Sequence, residues 1–205
     1  MWRTIVNDER LKTDDQIIIR RCLDGDREAF REIVIRYQSR VLSTIYRMIR
    51  DSEMARDLAQ EVFVKAYTKL STYDPRYSFK VWILRIATYH TIDHLRRRRP
   101  EFPVTREPDD DRPTPIDRAH SRAPSPDEMV WRQEQADMVA QAVNRLDPKL
   151  RAVVILRHYE DLNYDEIAEA LDIPMGTVKN RLYRARERLQ QLILQNHATL
   201  QEVVS

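Results

Sequence analysis

Apolar residues recur every three or four positions along most of the chain, the spacing that gives an α-helix one buried face. In the first 99 residues this pattern predicts four helices, which begin near positions 14, 26, 52 and 79. In the second of them, the side chains expected inside are Ala29, Phe30, Ile33, Val34, Tyr37, Val41, Ile45 and Ile49. A loop is predicted over 71–78, because Asp74 and Pro75 favour a turn.

Four more helices are predicted in the rest of the chain, beginning near positions 126, 148, 164 and 176. Asp147 and Pro148 stand in the order of an N-cap and a first helical residue. Asn163 and Glu166 have the three-residue spacing of a capping box. The last helix is predicted to run towards Gln195.

The chain has two glycines, Gly25 and Gly176. A dinucleotide-binding fingerprint needs three clustered glycines and a P-loop needs two close together, so both are excluded. Few glycines also disfavour tight β-hairpins, and the abundant Leu, Ile, Arg, Ala, Gln and Glu favour helix. The expected fold class is therefore all-α, with Gly25 ending the first helix.

Cys22 is the single cysteine, which excludes an intrachain disulfide and a Cys pair for zinc. The simplest expectation is a reducing, cytoplasmic location. The longest stretch without charge, 189–201, is too short and too polar to span a bilayer, and the N-terminus lacks the apolar core of a signal peptide. We therefore expect no stable membrane insertion.

Most of the prolines fall in one segment, which also contains three consecutive aspartates and almost no apolar residues. These prolines are Pro100, Pro103, Pro108, Pro113, Pro115, Pro124 and Pro126. Such a composition buries too little apolar surface to offset the entropy of ordering. We predict a flexible Pro/Asp-rich linker over 100–127, between two small helical domains at 1–99 and 128–205.

The formal net charge of +2 hides an uneven distribution of charge. Segment 79–100 carries six basic residues against Asp93, and segment 176–189 carries five against Glu187. The linker is acidic. One strongly basic helix is therefore expected in each domain, and such local patches are typical of nucleic-acid binding.

Segment 163–189 predicts a helix-turn-helix, because a short helix and a four-residue turn precede the basic helix. Ile167 and Leu171 would face Val178 and Leu182 across the turn. In this motif the second helix enters the major groove with its N-terminal residues at the base edges. The side chains expected to be exposed there are Thr177, Lys179, Asn180, Arg181 and Arg184. The alternative is a solvated basic helix in a structural bundle.

The other basic helix mixes aromatic and cationic residues, a combination suited to single-stranded nucleic acid because every base offers a face for stacking. The helix contributes Trp82, Arg85, Tyr89 and the run Arg96–Arg99; the preceding loop contributes Tyr73, Arg76 and Tyr77. For Trp82 a core position is the favoured interpretation. For Tyr89 and the loop, stacking and core packing remain equally open.

Asp57, Gln60 and Glu61 share one face of the third helix, which could dock a basic partner or simply be solvated. His90 and His94 have a metal-compatible spacing, but their surroundings are cationic and no third ligand is apparent. No nucleophile–base pattern is found. We expect no metal, no cofactor and no enzymatic activity.

Together these features resemble bacterial RNA polymerase sigma factors of the extracytoplasmic-function type, group 4. Three segments carry the resemblance. Residues 57–67 (DLAQEVFVKAY) are similar to the segment that binds the β′ clamp helices of the polymerase. Residues 79–87 (FKVWILRIA) with the helix to Arg99 are similar to the part that melts and reads the −10 element. Residues 162–168 (LNYDEIA) and 176–187 (GTVKNRLYRARE) are similar to the −35 reader.

The resemblance implies a sigma region 2 domain at 1–99 and a sigma region 4 domain at 128–205. The implied contacts with core polymerase are Asp57, Gln60, Glu61 and Phe63. The implied −10 contacts are Tyr73, Arg76, Tyr77, Lys80, Trp82, Arg85, Tyr89, Arg96 and Arg97. The implied −35 contacts are Thr177, Lys179, Asn180, Arg181, Tyr183, Arg184 and Arg186. The chain departs from the family at Tyr89, where members commonly carry Asn.

The partners that the resemblance implies are core RNA polymerase, through its β′ clamp helices and β flap, and promoter DNA, with an anti-sigma factor as a further candidate. Two alternatives remain at this stage. One is a helix-turn-helix regulator that acts without polymerase docking, which would leave the N-terminal domain unexplained. The other is an RNA-binding protein that uses the aromatic and basic helix.

Overall fold

The computed structural model describes residues 14–98 and 137–204, and regular structure in these ranges is entirely helical. The all-α prediction is confirmed. Helix α1 covers 14–23, and the described part of α5 covers 137–144. The other α-helices are α2 (Arg27–Ile49), α3 (Ser52–Thr68), α4 (Phe79–Arg98), α6 (Pro148–His158), α7 (Tyr164–Leu171) and α8 (Met175–Val204). The linker predicted over 100–127 lies outside the described residues.

The predicted caps form as hydrogen bonds. Asp147 accepts from the backbone N–H of Lys149 at 2.9 Å, with Pro148 in the first turn of α6. The Asn163 N–H donates to Glu166 Oε2 at 2.8 Å, and the Glu166 N–H donates to Asn163 Oδ1 at 2.9 Å. Each bond satisfies a backbone group that the helix leaves without an internal partner. These caps fix where α6 and α7 begin.

Two compact units make up the chain, and the first contains α1 to α4. Helices α2, α3 and α4 pack against one another in pairs. The apolar stripe predicted for α2 is buried except for Val34 and Ile49, which are half-buried at its margin. Buried side chains of α3 and α4 complete this core; they include Leu58, Val62, Phe79, Ile83 and Ala87.

Helix α1 is joined to α2 by a buried polar contact. Asp15 accepts hydrogen bonds from the Tyr37 hydroxyl and, at 2.6 Å, from Arg36 Nη1. Ile18 and Ile19 on the same helix enter the core. Gly25 then ends α1 at a φ of 104°, a left-handed conformation that a side chain would strain. The predicted role of Gly25 is confirmed.

The second unit contains α5, α6, α8 and most of α7. Its apolar core includes Ala142, Val143, Leu146, Val154, Ala185 and Leu192. The buried Arg151 donates from Nη2 to the carbonyl oxygens of Asn144 and, at 2.9 Å, of Leu146. These bonds occupy carbonyls beside the end of α5, so the guanidinium here has a structural role.

Two helix bounds differ from the predictions. Helix α3 ends at Thr68, and a short 3-10 turn, Leu70–Thr72, follows where continued helix or loop was predicted. Helix α8 begins at Met175 and continues to Val204, beyond the predicted Gln195. In the part of the chain that the structure describes, no helix is long and apolar enough to cross a membrane.

Candidate nucleic-acid interfaces

Helix α8 has one buried face and one basic face. Val178, Leu182, Ala185 and Leu192 are buried at successive steps of four, three and seven residues, and α8 packs against α6. The exposed side chains on the other side are Lys179, Tyr183, Arg184 and Arg186. Thr177 and Asn180 are half-buried. The helix therefore presents cations to solvent while its apolar side holds it in the fold.

Arg181 does not belong to the exposed set predicted for this helix. Its exposed fraction is 9%, and it follows Val178 by three residues and precedes Ala185 by four, which places it on the buried face. The prediction that Arg181 is exposed is therefore wrong. The aliphatic part of an arginine packs readily against apolar neighbours, which makes this placement compatible with a charged residue.

The turn before α8 forms without glycine. Asp172 adopts a φ of 48° after α7, in the left-handed region that Asp tolerates better than most residues. The Ile173 N–H donates to the Ala168 carbonyl at 3.1 Å and closes the helix end. On the other side of α7, Arg157 Nη1 donates to the Leu162 carbonyl at 2.9 Å, and its guanidinium carbon lies 5.5 Å from the Tyr164 ring centroid. Both ends of α7 are thus held in place.

In the first unit, the loop 73–78 is organised by Tyr73. The ring of Tyr73 is 8% exposed and packs edge-on against Phe79 and Trp82, with centroid distances of 5.3 and 5.6 Å. Its hydroxyl donates to the Tyr77 carbonyl at 2.8 Å, and burial raises its pKa to about 12. Of the two interpretations left open for Tyr73, the structure shows core packing, and the bond from its hydroxyl to the Tyr77 carbonyl helps to shape the loop. A contact between Tyr73 and the −10 strand stays a prediction.

Arg76 and Tyr77 are the exposed cationic and aromatic residues of this loop. Arg76 Nε donates to both carboxylate oxygens of Asp74, at 3.0 and 2.9 Å, and its guanidinium carbon lies 5.9 Å from the Tyr77 ring centroid. The bonds from Arg76 lower the pKa of Asp74. The loop therefore offers an aromatic ring beside a cation whose charge is partly neutralised.

Helix α4 places its predicted contacts in different environments. Lys80 and Arg85 are half-buried; Arg96 and Arg97 are exposed at the C-terminal end. Trp82 packs against Phe79 with ring centroids 5.2 Å apart, so its favoured core interpretation is confirmed. Tyr89 is 39% exposed, which leaves part of its ring accessible.

The acidic face of α3 is exposed at Asp57, Gln60 and Glu61, whereas Phe63 is half-buried against the core. Glu61 is also engaged with α4, because its Oε2 lies 2.8 Å from His90 Nε2. Lys65 Nζ donates to His90 Nδ1 at 2.6 Å, so that nitrogen accepts and the proton of a neutral ring is on Nε2. Burial, followed in size by the positive charge of Lys65, lowers the pKa of His90, and this favours the neutral ring.

Two exposed apolar residues extend the face of α3 and were missed from the sequence. Val64 is 65% exposed, and Tyr67 is exposed with its ring edge-on to Phe30 at 5.0 Å. Both residues continue the three- and four-residue steps from Asp57 along the same helix face, and this spacing could have identified them from the sequence. Among the described residues, no group of three or more His, Cys, Asp or Glu side chains could hold a metal ion.

Comparison with protein families gives two matches in chain order. The family model for Sigma-70 region 2 matches residues 33–101, and the model for Sigma-70, region 4 matches residues 136–189. Together these matches cover both basic helices and the face of α3.

Several characterised proteins are similar over most of their length. RNA polymerase sigma-H factor of Pseudomonas aeruginosa is 36% identical over 87% of this chain and 93% of its own. The ECF RNA polymerase sigma factor SigW of Bacillus subtilis is 34% identical over 84% of this chain and 92% of its own. The ECF RNA polymerase sigma-E factor of Escherichia coli K12 is 32% identical over 85% and 92%.

Two solved structures share the fold at lower identity. CnrH, solved in complex with the cytosolic domain of CnrY, has a TM-score of 0.62 at 23% identity and covers 87% of this chain and 96% of its own. The sigma factor RpoE of Bartonella quintana, solved with the anti-sigma factor NepR, has a TM-score of 0.57 at 22% identity, covering 80% and 96%.

Proposed function

The chain belongs to the extracytoplasmic-function group of RNA polymerase sigma factors, and we propose that it directs initiation by docking through α3 and reading two promoter elements. As a sigma factor it is an initiation factor and not an enzyme. Membership removes both earlier alternatives, the polymerase-independent regulator and the RNA-binding protein. Residues 1–99 would form the region 2 domain and 128–205 the region 4 domain, joined by 100–127.

We assign −35 recognition to the exposed face of α8. The observation that carries this assignment is the separation of the helix into an apolar face that is buried and a face that presents Lys179, Tyr183, Arg184 and Arg186 to solvent. Lys and Arg can donate to guanine edges in the major groove or to phosphates, and half-buried Thr177 and Asn180 lie at the N-terminal end that enters the groove. Arg181 would support the helix from its buried side.

We assign −10 recognition to the loop 73–78 and α4. Tyr77 and the accessible part of Tyr89 offer rings for a base of the melted non-template strand, and Arg76 lies beside Tyr77. The half-buried Lys80 and Arg85 and the exposed Arg96 and Arg97 supply charge for the backbone. A base that leaves the duplex for such a surface loses stacking, so promoters with an easily unstacked base are favoured.

We assign polymerase docking to the exposed face of α3, which is acidic and has an apolar extension. Asp57, Gln60 and Glu61 would meet basic residues of the β′ clamp helices, and Val64 and Tyr67 would add apolar contact. The β flap would receive the region 4 domain. A protein with this activity works in the cytoplasm. An anti-sigma factor is a further candidate partner, because CnrH and the Bartonella RpoE were solved with CnrY and an anti-sigma factor.

Substitution of Asp57 by Ala tests the docking assignment. Asp57 is preferred to Glu61 because Glu61 also contacts His90. Loss of the Asp57 charge from the docking surface should weaken binding to core polymerase several-fold. The matched control is Glu28→Ala, which removes an exposed carboxylate from α2. Affinity of the fluorescent full chain for core polymerase is measured by titration.

Binding to duplex −35 DNA should be the same in the wild type and both variants, which shows that the second unit is intact. An Asp57→Ala variant that binds core as tightly as the wild type would remove α3 from the docking surface.

A further inference from the structure

A side chain of α1 reaches the loop 73–78. Gln16 Nε2 donates to the carbonyl oxygen of Pro75 at 2.7 Å, across 59 positions of sequence. A carbonyl can only accept, so the amide nitrogen must face it. Resting on the proposed function of this loop, we infer that Gln16 is a positioning residue for −10 recognition: it holds the loop from α1 in the shape that presents Arg76 and Tyr77.

The part of α1 that carries Gln16 is anchored to the core of the first unit. Asp15, the residue before Gln16, is buried and accepts from the Tyr37 hydroxyl and from Arg36. The Tyr37 ring in turn packs edge-on against Phe79, the first residue of α4, at a centroid distance of 5.3 Å. The backbone from which Gln16 extends is therefore tied to the same core that lies beneath the loop.

The loop itself is held mainly by local bonds. The Tyr73 hydroxyl donates to the Tyr77 carbonyl, the Tyr77 N–H donates to the Asp74 carbonyl at 3.1 Å, and the Arg76 N–H donates to Asp74 Oδ1 at 2.9 Å. These bonds set the curvature of the loop. The bond from Gln16 adds a tie to another helix at Pro75, immediately before Arg76, so its loss should displace Arg76 and Tyr77.

The test compares Gln16→Met with Ile17→Met. Met is close to Gln in length and is uncharged, but it cannot donate a hydrogen bond. Ile17 is the next residue of α1 and is 57% exposed, so Ile17→Met places the same side chain on the same helix at a position open to solvent. Each full-length variant is assembled with core polymerase. The probe is a fork-junction DNA with the −10 sequence obtained by mapping transcript starts after overexpression.

We expect Gln16→Met to bind the fork DNA about two- to tenfold more weakly, the range for loss of one hydrogen bond. Its preference for the mapped −10 strand over a scrambled strand should fall as well. Amide hydrogen exchange of residues 73–78 in the free chain should accelerate in Gln16→Met. Affinity for core polymerase and for −35 duplex should not change, and Ile17→Met should match the wild type throughout.

The outcomes separate the inference from the proposed function. Equal fork binding by Gln16→Met and the wild type, with or without faster exchange of the loop, overturns the inference. An equal loss in both Met variants also overturns it, because the cause would be a general weakening of α1. A wild-type holoenzyme that does not distinguish the −10 strand from the scrambled strand overturns the proposed function of the loop itself.

Discussion

Asp15 is a carboxylate held out of water by α1 and α2. Burial is the largest influence on it and raises its pKa, although the hydrogen bonds from Tyr37 and Arg36 act in the opposite direction. Burial disfavours the charged form of a carboxyl, and here it outweighs the two donors, which favour that form. The contact therefore makes the stability of the first unit depend on pH.

The sign of that dependence can be tested with Asp15→Asn. The folded-state pKa lies above the ordinary value of 3.8, so the folded chain binds the proton more tightly than the unfolded chain. This contribution to stability is fully present below pH 3.8 and is lost as the pH rises through the raised pKa. The free energy of unfolding of the wild type minus that of Asp15→Asn should therefore be larger at pH 4 than at pH 7.

Urea unfolding of the full chain measures this difference. Asp24→Asn, at an exposed position in the turn after α1, serves as the control and should show no such trend. A difference that stays constant or grows between pH 4 and pH 7 would contradict the raised pKa of Asp15.

Tyr73 and Arg181 show where sequence reasoning ended at the residue scale. Both residue types are common at nucleic-acid interfaces. Arg181 was expected to be exposed, whereas stacking and core packing were equally open for Tyr73. The three-dimensional packing settles where each side chain lies: Tyr73 completes an aromatic cluster, and Arg181 lies on the buried face of α8. Helical spacing from Val178 and Ala185 could have indicated the second case; the first depends on a loop that has no periodicity.

At the scale of elements, local signals were sufficient for most helices. The N-caps at Asp147 and Asn163 and the end of α1 at Gly25 form as the sequence predicts, because caps depend on neighbouring residues. The exposed apolar extension of α3 at Val64 and Tyr67 was not predicted. Apolar side chains are expected to face a core, and only the packing shows which of them remain outside.

Helix α8 provides the prediction at this scale. Arg184→Ala should weaken binding to the −35 duplex by roughly 1–3 kcal/mol if Arg184 reads a base. Arg188→Ala is the matched control, since Arg188 is exposed one turn further along the same helix and donates to Gln191. Binding is measured by titration of −35 duplex and of duplexes with single base changes, at fixed salt.

The pattern across duplexes distinguishes the two possible contacts. A base contact gives a loss confined to the cognate duplex and relaxed discrimination at one position. If Arg184→Ala weakened binding equally on every duplex, and Arg188→Ala did the same, Arg184 would be assigned to phosphates. That result would contradict base recognition by Arg184.

At the scale of the whole molecule, the net charge of +2 is the sum of opposing local charges. The two basic helices lie in different units, one along α4 and one along α8, and the acidic face of α3 has a charge opposite to both. Counting charge by segment predicted the two basic helices, and the spacing of Asp57, Gln60 and Glu61 predicted the acidic face of α3, whereas the total concealed both. The sequence therefore predicted which helices are basic, and the structure added which of their side chains are exposed.

The central claim is that this chain gives core RNA polymerase its choice of promoter, and in vitro transcription tests it most directly. Purified core polymerase is incubated with genomic DNA fragments, with and without the full chain, and transcript starts are mapped. We predict discrete starts that require the chain and share one −35 and one −10 sequence at fixed spacing. Transcripts that are the same with core polymerase alone, or starts without a common pair of elements, would contradict the claim.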